Sequence, residues 1–135
     1  MEALKNETAF RFNPIHDLEG DCGTILSLLF DTPEKTRRFL VALIELGVED
    51  ASTPIDSDRH VYTNWEPVLK RNGAHHPKRD AYKLADHPVS YTSDMCVKSL
   101  EILSRTAFIP TSINRSPAGL EDLIDNIQKA ARKIV

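Results

Sequence analysis

Little in this 135-residue sequence belongs to the short motifs that usually announce an activity. It has two cysteines, Cys22 and Cys96, far apart in the chain. That spacing gives no metal-ligand pattern and no disulfide framework. A single bridge stays open, but two buried thiols in a reducing cytosol fit the pattern better. The five glycines, at 20, 23, 47, 73 and 119, spell neither G-x-G-x-x-G nor a Walker loop. No apolar run approaches the ~18 residues of a membrane span. The opening MEALKNETAF lacks the apolar stretch of a signal peptide. Neither charge sign dominates: 17 Lys and Arg against 20 Asp and Glu leave a net charge of −3, no field to attract nucleic acid. Neither cysteine has a neighbouring base, and no serine sits in a G-x-S-x-G elbow. These absences predict a cytoplasmic, soluble chain with no membrane or nucleic-acid partner and no metal site.

What is present is ordinary in bulk: 41% apolar and 27% charged residues, the balance of a soluble globular domain. The length suits one domain, at most with a short arm. Residues 1–20 show no period and read as an N-terminal arm or linker, leaving 21–135 as the domain. The nearly continuous apolar run at 22–30 reads as a buried strand. Asp31-Thr32-Pro33 then opens a helix, with Phe39, Leu40, Leu43, Ile44 and Leu46 on one face and Gly47 placed to end it. Residues 48–55, bounded by Pro54, read as a second strand.

Order returns after the middle of the chain. Ser93 is expected to cap a helix running to about Ser104, with Cys96, Leu100 and Leu103 on one face. Thr106 to Ile109 reads as a strand stopped by Pro110. Ser116-Pro117 opens a final helix whose stripe is Leu120, Leu123, Ile124, Ile127, Ala131 and Ile134. Strands alternating with helices predict an α+β fold: a small mixed or antiparallel sheet of three to four strands with helices packed on one face.

Residues 56–90 differ. They hold four of the five histidines, the only Trp and two of the three Tyr. A short helix fits 64–71, ended at Asn72-Gly73, and 74–88 reads as loop. Adjacent His75 and His76 point different ways on regular structure, which suits a metal poorly. His60, Tyr62, Asn64 and Trp65 combine an imidazole, an amide and aromatics, the chemistry of a polar ligand pocket or of a packed interface. Lys78-Arg79, with Lys70 and Arg71 nearby, is a modest basic patch better read as solvated loop charge. No complete catalytic set assembles from the residues.

As a whole the pattern resembles a known family. The carriers are the Leu46-Gly47-Val48 helix end, His60-Val61-Tyr62-Thr63-Asn64-Trp65-Glu66, Gly73-Ala74-His75-His76-Pro77, the Ser99-to-Pro110 segment containing LSRTAFIP, and the terminal helix. Over residues 20–135 these are similar to the C-terminal small domain of DegT/StrS-type aminotransferases, the nearest branch being the transaminases of keto-sugar acids. The resemblance implies a pyridoxal-phosphate enzyme family of amino-sugar or polysaccharide biosynthesis. In it a larger domain carries the Schiff-base lysine and most cofactor contacts. Nothing here matches that larger domain. The expectation is therefore a chain inactive alone, binding no cofactor itself, whose partner is the large aminotransferase domain; an exposed docking face would also let it form a homo-oligomer. His60, Tyr62, Asn64 and Trp65 would face substrate. The alternative is a free-standing binding module using the same His60-to-Trp65 loop.

Overall fold

The computed structural model describes residues 1–57, 61–73, 76–87 and 89–135. Among them three strands form one antiparallel sheet in the order β1-β2-β3: β1 (Arg11–Phe12), β2 (Ile25–Leu29) and β3 (Thr106–Pro110). Phe12 stands opposite Leu28, and Leu26 and Leu28 stand opposite Ile109 and Ala107. Side chains alternate across a pleated strand, so these five share one face. Helices α1 (Pro33–Glu45) and α5 (Pro117–Arg132) pack together on the sheet and complete the core. The fold is α+β, as the alternation of elements predicts.

Both helices start where the caps place them. Thr32 Oγ1 accepts from Lys35 N at 3.2 Å and Ser116 Oγ from Gly119 N at 3.1 Å, each with proline next in the chain. Gly47 ends α1 at φ +83°; its N–H donates to Ile44 O at 3.0 Å, and Val48 N–H donates to Leu43 O at 2.9 Å. This pair of reversed bonds is the Schellman arrangement, and buried Val48 and Leu43 supply its apolar contact. Along α1, Phe39, Leu40 and Leu43 are buried as expected, but Ile44 is 52% exposed, and Thr36 takes a core position with its hydroxyl donating to Thr32 O at 3.2 Å.

Several expectations are corrected. Residues 1–20 are not a free arm: Leu4, Ala9 and Phe10 are buried in the common core, and β1 pairs with β2. Residues 48–55 do not form a strand. Their first member is consumed by the helix end, Ser52 makes one isolated bridge to Phe108, and Pro54, with no N–H to extend a ladder, opens a 3-10 turn over Pro54–Asp56. The helix expected from Ser93 starts later, as α4 (Val97–Ser104), with Cys96 as its cap residue and no side-chain cap bond. Segment 74–88 is not wholly loop. It holds a 3-10 turn (Pro77–Arg79) and a one-turn helix α3 (Ala81–Leu84), capped when Tyr82 N donates to Asp80 Oδ1 at 3.0 Å. The short helix read at 64–71 is a 3-10 turn (Tyr62–Asn64) followed by α2 (Glu66–Leu69). Both cysteines are exposed rather than buried.

Candidate functional site

The excursion between α1 and β3 is tied down at its base. Tyr62, half-buried, donates through its hydroxyl to Ser93 O at 2.8 Å, and the same oxygen accepts from Cys96 N at 3.2 Å. One phenol thus joins the 3-10 turn at 62–64 to the entry of α4, and it takes the Cys96 N–H that a side-chain cap at Ser93 would have used. Asn64 Nδ2 donates to Ser57 O at 3.0 Å. Of the residues predicted to face substrate, Tyr62 and Asn64 thus hold backbone, and Trp65 is 45% exposed beside them. His60 and His75 lie outside the described residues. His76 Nδ1 accepts from Lys78 N at 3.2 Å and so caps the turn that follows it.

Further along, the loop closes on itself. Asp80 is only 5% exposed, lies 3.6 Å from Lys83 Nζ, and presses so closely on Gly73 that a Cβ there would stand 2.0 Å from its Oδ1. Glycine is required at 73 by this approach rather than by its dihedral angles. The Arg71 guanidinium lies 5.9 Å from the centre of the Tyr82 ring, which meets Tyr91 edge-to-face at 6.4 Å. Lys70 hydrogen-bonds Glu66 and, with its charge, holds that carboxyl below the usual range. Lys70 and Arg71 are thus engaged within the loop, while Lys78 and Arg79 are exposed.

The Tyr62 tether is testable. In a Tyr62→Phe variant two exposed hydrogen bonds vanish, a loss of about 1 kcal/mol in local opening at the lower end of such bonds. Amide exchange at Cys96 is expected to quicken roughly fivefold while the β2 amides hold. Unchanged exchange at Cys96 would remove the tether from the account.

On the far side of that tether α4 is unusual. Val97, Leu100, Ile102 and Leu103 fall within eight residues, yet the helix buries none of them. It rests on the 3-10 turn at 54–56, with Val97 61% and Ile102 48% exposed. Leu84, Val89 and Met95 in the approach are 61%, 52% and 45% exposed. Five exposed large aliphatic residues thus fall between positions 84 and 102 of the chain.

No family model matches the chain.

The residues can still be tested against pyridoxal phosphate, which needs a lysine in a cleft together with an acid for the pyridinium nitrogen and donors for the phosphate. Six of the eight lysines are in surface ion pairs: Lys5 with Glu2, Lys35 with Asp31, Lys70 with Glu66, Lys83 with Asp80, Lys129 with Asp125 and Lys133 with Glu45. Lys78 and Lys98 are exposed. A cavity of about 430 Å³ between α5, β2 and the N-terminal segment is bordered by no lysine. The described residues do not fit the cofactor. Nor do any three His, Cys, Asp or Glu among them gather as a metal site, and none of the described helices is long and apolar enough to cross a membrane.

Sequence reasoning missed this cavity. Its signal was the apolar stripe of the last helix, whose Leu120 borders the recess at 48% exposure.

Proposed function

We propose that this chain serves as the small-domain part of a pyridoxal-phosphate-dependent aminotransferase acting on keto-sugars, and that it docks on a lysine-bearing large domain instead of holding the cofactor. The observation that supports this reading most directly is α4: a helix rich in aliphatic residues, none of them buried, next to the aromatic loop that the family resemblance turns toward substrate. Burying aliphatic side chains on a partner returns roughly 25 cal/mol per Å² of apolar area removed from water, so such a face gains by being covered. The chain's own part is to cover and position. Tyr62 fixes the base of the loop, Asn64 holds its turn, and Trp65 stays at the surface where a partner or substrate can reach it.

Two measurements test the reading. Incubated with pyridoxal phosphate, the chain alone is expected to show no visible absorbance band that borohydride removes. A band abolished by substituting one lysine would overturn the reading. Co-expressed with the large domain of a DegT/StrS-type aminotransferase lacking its own small domain, the chain is expected to co-purify and to restore transamination of a keto-sugar. Val97→Asp combined with Ile102→Asp should weaken that association at least tenfold, with thermal stability of the free chain nearly unchanged because neither residue is buried. Association indifferent to this pair of changes would also overturn it.

The alternative, a free-standing binding module, draws on Trp65. As the only tryptophan it reports its own surroundings in fluorescence. A ligand that shifts its emission without any large domain present would favour that alternative.

A further inference from the structure

The 430 Å³ cavity shares no residue with the face just described, so what it binds is a separate question. Its floor is the core itself: Leu4, Leu123 and Ile127 are each at most 4% exposed. Four aliphatic side chains ring the mouth at half exposure, Met1 at 55%, Ile15 at 39%, Ile25 at 49% and Leu120 at 48%. This is a recess that deepens into the core, within the size range of small-molecule sites and with the apolar walls typical of them. Its polar groups are few and neutral for the most part. Asn13 Nδ2 donates to Ser27 Oγ, and Thr111 Oγ1 donates to Gly23 O, so an amide and two hydroxyls border the recess. Among the described residues that line it, Asp21 carries the only ionisable side chain; it is exposed, and its carboxylate already accepts from Gly23 N at 2.9 Å.

Apolar depth, hydroxyl and amide groups on the wall, and a single carboxylate that is exposed to solvent together describe one kind of guest. We propose that the cavity binds a single-chain amphiphile: an alkyl tail lying along Leu26, Leu123 and Ile127, with an uncharged, hydroxyl-bearing head at Asn13, Ser27 and Thr111. At about 30 Å³ for each water-sized group, the space takes a tail of roughly ten carbons with part of its head. An ionised head would find no buried counter-charge in the wall, where Asp21 is exposed to solvent, and would lose part of its hydration.

The test uses the full chain and three eight-carbon probes below their micelle concentrations: octyl glucoside, octanoate and octyltrimethylammonium, with glucose as the tail-free control. Amide resonances of residues 25–27 and 120–127 are followed by NMR. Octyl glucoside is expected to shift them saturably, with a dissociation constant of about 0.1–1 mM for a ligand of this size. Both charged probes should bind at least fivefold more weakly, and glucose should have no effect. Leu120→Trp, which blocks the mouth at an exposed position, and Ile124→Phe, which fills the interior, should each weaken octyl glucoside at least tenfold. Agreement of the two variants guards against misfolding in either. The proposal is overturned if the glucoside shifts none of these amides, if a charged probe or glucose matches it, or if the resonances move on dilution without any probe, which would make a second copy of the chain the occupant.

Discussion

Removing residues 1–12 is expected to leave a chain with no cooperative unfolding transition. Although this segment has no period of its own, it supplies the element that joins sheet to helix. Phe10 meets Phe12, Phe30 and Phe39 with ring centres at 5.9, 5.8 and 6.0 Å, all edge-to-face, and is itself 5% exposed. Leu4 is buried beside α5, where Gln128 Nε2 donates to Ala3 O at 3.1 Å. β1 covers one edge of β2, so its loss leaves a two-stranded sheet, which is marginal in water. The milder Phe10→Ala change is expected to cost about 3–5 kcal/mol, a large share of the 5–15 kcal/mol by which domains of this kind are stable. Urea unfolding followed by circular dichroism measures both. If Phe10→Ala costs under about 1 kcal/mol and the truncated chain keeps its slope with urea, the segment is an arm after all.

Phe39→Ala is expected to destabilise by a similar amount, about 3–5 kcal/mol. Phe39 is fully buried on α1, its ring centre 4.9 Å from that of Phe30 at a tilt of 45°. Truncation there opens a void against two neighbouring rings that cannot both collapse into it, since Phe30 is fixed by the backbone bond from its N–H to Arg105 O at 2.8 Å. Because Phe10 and Phe39 touch, their costs should not add. The double variant is expected to fall short of the sum by about 0.5–1.5 kcal/mol, the worth of an aromatic pair beyond its buried area. Strict additivity, read from the same urea curves, would mean that the rings do not act as one cluster.

The first prediction depends on a part of the chain that pattern reading passes over. Periodicity finds a helix when one face is buried along several turns, and α1 from Thr36 to Leu43 and α5 from Leu123 to Ala131 satisfy that condition. It fails for residues 1–20, where Leu4 and Phe10 each reach the core from irregular backbone and β1 is two residues long. It overreaches at 48–55, where an apolar stretch with strand composition meets Pro54 before a ladder can form. At the predicted site the residue types were legible but their partners were not. The Tyr62 hydroxyl is spent on Ser93 and Cys96, thirty residues away in the chain, a pairing that no local spacing encodes.

The sequence by itself determined where the main helices begin and end, that a strand lies within 22–30, and that the architecture is α+β; that only Leu28 of this strand is buried it did not show. Caps, prolines and Gly47 act through bonds between near neighbours, and near neighbours are what a sequence displays. Tertiary structure alone decided that the N-terminal segment belongs to the core, that α4 leaves Val97 and Ile102 exposed, and that a recess opens between α5, β2 and the N-terminal segment. Each of these is set by which distant surface arrives to cover a side chain, and burial of that kind is a property of the assembled layers, not of any one segment.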